Sequence, residues 1–320
     1  MIIDFVGKRF VYLAISAILT IPGLISLAIP PSLRPGIEFT SGALMSVRFN
    51  DAPEQGTLRE EMGRLGYHDA IIQRTSDGDY LIRTRMLTTE QRDPNGQIVV
   101  QGERKQLLDG LQEKFGTATV LSFDEVSPIV AQEIGQRSAL AVVVASVFIL
   151  LYITFAFRQV PNPFRFGVCA IIALLHDVVI VMGAFSIMGK LFGTEVDSLF
   201  ITAVLTVIGF SVHDTIVVFD RTRENQRRMP GHDLPYVVNV SLNQTLGRSL
   251  ATSITVVLTL VALLLFGGVT IQNFVLTLLI GIIAGTYSSI FVASQLLVMW
   301  ELGELNYSHW FNRAESKAAA

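Results

Sequence analysis

Uncharged apolar runs alternate with charged, turn-rich stretches along this chain. The runs at residues 10–29, 138–157, 166–187, 199–219, 249–266 and 274–300 are of the length that crosses a hydrocarbon core of about 30 Å at about 1.5 Å per residue. They predict six transmembrane helices. The first run follows a leader, residues 1–9, that ends in Lys8 and Arg9. It is longer than the apolar part of a signal peptide, and residues 27–31 offer no small-residue cleavage site, so a retained first helix is expected.

Residues 30–137 have the pattern of a water-exposed α+β domain between the first two spans. Ala43 to Phe49 alternates like a half-buried strand, and Thr57 with Glu60 reads as a capping box opening a helix whose Leu58, Met62 and Leu65 share one face. Residues 70–74 and 80–85 read as strands. Beyond the turn signal at residues 93–96, Leu107, Leu108, Leu111 and Phe115 mark a second helix, and residues 119–123 a last strand. The order βαββαβ predicts a ferredoxin-like domain. The fold class expected is thus an α-helical polytopic membrane protein with six spans and one ferredoxin-like extracytoplasmic domain between the first and second.

At 320 residues, 51% hydrophobic and 16% charged, the chain is too apolar for an ordinary soluble protein. The net charge of −3, with dispersed basic residues, excludes a nucleic-acid footprint. The single cysteine, Cys169, allows neither an intrachain disulfide nor a cysteine-based metal cluster. Arg158 and Arg165, Arg221, Arg223, Arg227 and Arg228, then Arg313 and Lys317 fall on the same side as Lys8 and Arg9, whereas the opposite short loops carry only Lys190. By the positive-inside rule both termini, including the tail at residues 301–320, are expected in the cytoplasm and the large domain outside.

The candidate chemistry lies inside the spans. His213 and Asp214 interrupt the fourth run, and helical rise from Asp220 sets Asp214 roughly 9 Å into the hydrocarbon. An ionisable group there is expensive and is a functional site by default. His176 and Asp177 interrupt the third run, either as a second station for a proton or as a hydrogen-bonded pair locking helices together. On the fifth run Thr245, Arg248, Thr252, Thr255 and Thr259 share a face, which either looks toward something other than lipid or consists of threonines bonded to their own backbone. Arg248 is expected to reach Asp214. A carboxylate beside an arginine stays ionised and in apolar surroundings takes a proton, which is the physics of a proton switch. Thr277, Gly281, Gly285 and Ser289 form a small-residue ridge for close helix packing. No metal, nucleotide or nucleophile motif is present, so neither a cofactor nor an enzymatic activity is expected; the coupling ion would be H⁺.

Four blocks carry a resemblance over nearly the whole length. Gly36 to Gly42, GIEFTSG, is similar to a Gly-Ile-Asp-Phe-x-Gly-Gly motif, with Glu38 and Ser41 as departures. Gly209 to Asn225, which includes Asp220 and Arg221, is the most specific, with His213 where Asn is frequent. LNQTLGRSLAT and LIGIIAGTYSSIFVAS are the others. The chain resembles the SecF family of the RND superfamily. That resemblance implies a six-helix partner of SecD that associates with the SecYEG translocon in the inner membrane. Such a protein uses the proton-motive force to assist a translocating preprotein, with residues matching Asp214 and Arg248 implicated in proton movement. Two other readings are open: half of a small-molecule RND-type transporter, and an intramembrane aspartyl protease with Asp177 and Asp214 as a dyad.

Overall fold

The computed structural model describes residues 3–75, 78–88, 91–92, 98–100, 102–158 and 163–304. The turn expected at residues 93–96 and the tail with Arg313 and Lys317 lie outside them. The chain forms two compact units, Met1–Arg34 with Leu140–Ala320, and Pro35–Ala139.

The smaller unit contains the helix α2 (Ile37–Thr40), then β1 (Gly42–Phe49), α3 (Gln55–Arg64), β2 (Ile71–Arg74), β3 (Tyr80–Thr84), a short hairpin of β4 (Gln91–Arg92) and β5 (Ile98–Val100), α4 (Glu103–Phe115) and β6 (Ala118–Val126). Four strands make one sheet in the order β2-β3-β1-β6, every neighbour antiparallel. Alternation along β1 turns Ala43, Met45, Val47 and Phe49 inward, as the two-residue side-chain period of a strand requires. They meet Leu58 and Met62 of α3 and Leu107 and Leu111 of α4 in one core.

The capping box does not form. Helix α3 begins at Gln55 with Glu54 as its N-cap and no side-chain cap bond, which puts Thr57 inside the first turn, where its hydroxyl no longer faces the orphan amides. Entry into β1 is strained: Ser41 has φ 63° and ψ 169°, a region almost reserved for glycine. At Gly42 φ is +123°, and a Cβ would lie 2.5 Å from the Thr84 carbonyl oxygen.

Among the described residues six helices have membrane length: α1 (Arg9–Ala28), α5 (Pro128–Ala156), whose first residues belong to the smaller unit, α6 (Pro163–Phe192), α7 (Ser198–Arg228), α8 (Leu234–Phe266), and a last span made of α9 (Gln272–Ser288), a π-helical turn Ser289–Ala293 and α10 (Ser294–Glu301). Several outrun their apolar cores. Helix α5 starts ten residues before the uncharged run and carries the pair Glu133–Arg137 at 2.6 Å. Helix α7 continues through the charged stretch because its acids and bases pair one turn apart, Asp220 with Arg223 at 2.6 Å and Glu224 with Arg228 at 2.6 Å.

Helix α1 belongs to the bundle. It crosses α6 where a Cβ on Gly183 would sit 2.5 Å from Gly23 Cα, and Ser26 bonds Ser186 at 2.7 Å. Ahead of it, Asn239 and Asn243 of α8 hold the N-terminal segment, accepting from the amides of Phe5 at 2.8 Å and Ile3 at 2.9 Å. Helices α7 and α9 pack through the small-residue ridge: Gly281 faces Val207, Gly285 faces Ser211, and Ser289 bonds Thr215 at 2.9 Å.

Candidate functional site

The ridge brings two acids into one polar seam. Asp177 of α6 is 1% exposed. Its Oδ2 accepts from Ser211 of α7 at 2.5 Å and from Ser288 of α9 at 2.7 Å. Its Oδ1 lies 3.0 Å from Nδ1 of His176, whose Nε2 lies 2.6 Å from the Ser16 hydroxyl on α1. One tautomer satisfies every group: Nδ1–H donates to the carboxylate and Nε2 accepts from Ser16. Four helices therefore meet at one carboxylate supplied with three donors. The approach at Gly285 is close: a Cβ there would lie 3.1 Å from Ser211 Cβ, a tight contact, and 3.5 Å from Asp177 Oδ2.

Asp214 of α7 is 3% exposed and differently equipped. Its hydrogen bond is a long one, 3.5 Å from the Ser253 hydroxyl on α8, and Thr286 of α9 donates to Ser253 at 2.6 Å. A buried carboxyl so poorly supplied with donors is one whose hydrogen bonding changes most when a proton arrives or leaves. Asp177 and Asp214 share no hydrogen bond and no common partner; the dyad expected of an aspartyl protease is not formed.

The structure separates other residues that sequence reasoning joined. Arg248 is exposed and makes no ion pair with Asp214. The side of α8 that meets Asp214 carries Thr245, Ser249, Ser253 and Leu260. Arg248 precedes Ser253 by five residues, which at about 100° per residue turns it well away from that face. Thr252, Thr255 and Thr259 are exposed beside it and donate to the carbonyls of Arg248, Ala251 and Thr255 at 3.0, 2.8 and 3.0 Å, so their own backbone satisfies them. His213 is exposed although adjacent to buried Asp214, because consecutive helical residues point to different sides. Gly209 meets nothing within 4 Å where a Cβ would stand. Asp220 and Arg221 are held in ion pairs with Arg223 and Glu224.

Sequence reasoning missed Ser211, Ser253, Thr286 and Ser288. The signal available was the four-residue recurrence of Ser241, Thr245, Ser249 and Ser253, which shares Thr245 with the stripe of Arg248 and parts from it by one position at Ser249 and Ser253.

Six membrane-length helices among the described residues, five of which enclose buried acids and hydroxyls, define a polytopic membrane protein with an intramembrane polar site. Residues 106–303 match the family model described as protein export membrane protein SecD/SecF, C-terminal. The chain is 47% identical to the protein translocase subunit SecF of Thermobaculum terrenum over 99% of both chains, and 43% identical to that of Anaerolinea thermophila over 99% of this chain and 100% of the relative. It is similar in structure to the translocon-associated SecDF of Thermus thermophilus, with a TM-score of 0.80 and 32% identity over 94% of this chain and 39% of that longer one. The chain belongs to the SecD/SecF family of protein export membrane proteins, on its SecF side.

Proposed function

We propose that this chain is the SecF-type subunit of an accessory complex of the Sec translocase, and that it couples the proton gradient to preprotein movement through Asp214. The observation that carries the reading is the contrast between the two acids. Asp177 is saturated with donors and ties α1, α6, α7 and α9 together, whereas Asp214 has one long bond and is the carboxyl able to change partners. Both termini would be cytoplasmic, as the arginine-rich loops favour. The antiparallel βαββαβ unit, with β4 and β5 as an insertion, supports a ferredoxin-like domain on the outer side. The chain spans 39% of the SecDF structure it resembles, which leaves room for a SecD-type half.

Arg248 and the three exposed threonines support that second half directly. An arginine and hydroxyls on the outer face of a membrane helix are expensive against lipid, so a partner helix covering this stripe is favoured, and Arg248 would meet the partner's polar groups there. The test is export into vesicles containing the SecYEG channel, a SecD-type subunit and this chain. Asp214→Asn is expected to insert normally and to abolish gradient-dependent stimulation. Stimulation equal to that of the unaltered protein would overturn the assignment. Co-purification from membranes tests the partner: recovery without a SecD-type subunit would remove it.

A further inference from the structure

We propose that the inner face of α8 is a proton path, a file of hydroxyls that binds water between Asp214 and the end of the bundle where α7 and α8 join. It rests on the proton-coupled reading of Asp214 and says by which route the proton comes. Ser241, Thr245, Ser249 and Ser253 recur every four residues and are all buried. At the upper end Ser253 donates to Asp214. At the lower end Ser241 accepts from Asn225 at 2.9 Å; Asn225 also bonds Gln244 at 2.8 Å, and Gln244 accepts from the exposed-side Arg221 at 2.6 Å. The file therefore runs from a buried carboxyl to a charged, solvated hairpin.

The group between these ends points to a ligand. The other serine and threonine hydroxyls of the file are bonded: Ser241 and Thr245 donate to the carbonyls one turn back, at 2.7 and 2.9 Å, and Ser253 donates to Asp214. Ser249, 2% exposed, has no partner for its oxygen. A second buried polar group in the bundle is also without a protein partner. Gln295 of α10, a helix packed against α8, is 0% exposed, and neither its amide nitrogen nor its amide oxygen has a partner. Buried polar groups in native proteins are almost always paired, and where protein does not supply the partner, water does.

The spacing suits water. Four residues of helix rise about 6 Å, and one water making two hydrogen bonds of about 2.8 Å spans nearly that distance. A hydroxyl both donates and accepts, so alternating hydroxyls and waters can pass a proton by exchanging bonds without any charged side chain in the file. Apolar residues at the same positions would seal it. The ligand class is water carrying an excess proton.

The experiment uses the full chain with its SecD-type partner in vesicles loaded with a pH-sensitive dye, and reads proton entry under an imposed gradient. Ser249→Val, which removes the hydroxyl and fills its space, is expected to slow entry about tenfold, the factor for one lost hydrogen-bonded step. Ser249→Thr, which keeps the hydroxyl, is expected to restore it. Ser249→Ala provides the same reading should the valine disturb insertion. Unchanged entry in Ser249→Val and Ser249→Ala, with entry stopped in Asp214→Asn, would overturn the path and leave the role of Asp214 standing. Unchanged entry in Asp214→Asn would overturn both.

Discussion

Ser211 of α7 donates its hydroxyl to Asp177 of α6 across 2.5 Å, and the same stretch of α7 carries Asp214 three residues on. The fixed acid and the under-bonded one are thus mounted on one rod. Any movement of α7 that follows a change at Asp214 pulls on a joint shared by four helices, among them α1.

Removing the joint should loosen the bundle. Asp177→Ala leaves the donors Ser211, Ser288 and His176 without an acceptor; the bonds from Ser211 and Ser288 cross between helices, and at about 0.6 kcal/mol per interhelical bond in a membrane protein their loss is expected to cost about 1 kcal/mol. Asp177→Asn, which still accepts at one oxygen, should fall between. Thermal unfolding midpoints of the detergent-purified protein rank the three, and an alanine variant as stable as the parent would refute the joint.

The ridge makes opposite forecasts for two glycines. A Cβ at Gly281 would lie 2.2 Å from Val207 Cγ2, so Gly281→Ala must push α9 off α7; overpacking of this kind typically costs about 1–3 kcal/mol. Gly209 has open space where its Cβ would stand, and Gly209→Ala is expected to be neutral or slightly stabilising, since alanine is the better helix former by about 1 kcal/mol. Comparing the amounts of each variant folded in membranes checks the contrast. Equal losses at both positions would sink it.

The strained Ser41 offers a gain. Its φ of 63° with ψ of 169° is a glycine conformation, so Ser41→Gly is expected to stabilise the smaller unit by about 1 kcal/mol, the strain removed less the extra freedom of the unfolded glycine. The readout is the unfolding midpoint of the full chain. A lower midpoint than the parent's would show that the serine side chain matters more than its backbone.

Acid should weaken the smaller unit through Glu103. The Arg85 guanidinium at 2.7 Å and the Thr88 amide at 2.7 Å hold this carboxyl down to about 2 from an ordinary 4.5, the bond to Arg85 being the larger cause. A lowered folded pKa means that the unfolded chain binds the proton first on acidification. The stabilisation is complete above pH 4.5 and is lost as pH falls toward 2. Glu103→Gln is expected to flatten that part of the profile of unfolding midpoint against pH, and a variant profile parallel to the parent's would exclude Glu103 as its source.

What could be read along the chain was whatever depends on periodicity and transfer from water. Six apolar runs state six spans, alternation states β1, and an acid within a hydrophobic run states that something in the membrane needs it, because hydration energy is a local property of each side chain. The ridge at Gly281 and Gly285 was legible for the same reason, being a spacing on one helix. Which groove receives that ridge was not: Val207 and Ser211 are approached only because α7 and α9 pack at a particular rotation. The same rotation decides the site. A turn of α8 by about one residue separates the stripe of Arg248 from the file of Ser249 and Ser253, and nothing in the α8 sequence alone prefers one inward face, since both repeat at near-helical spacing. Apolar and small residues on α7, α9 and α10, the helices packed against α8, made that choice, and with it they gave Asp214 a serine in place of an arginine.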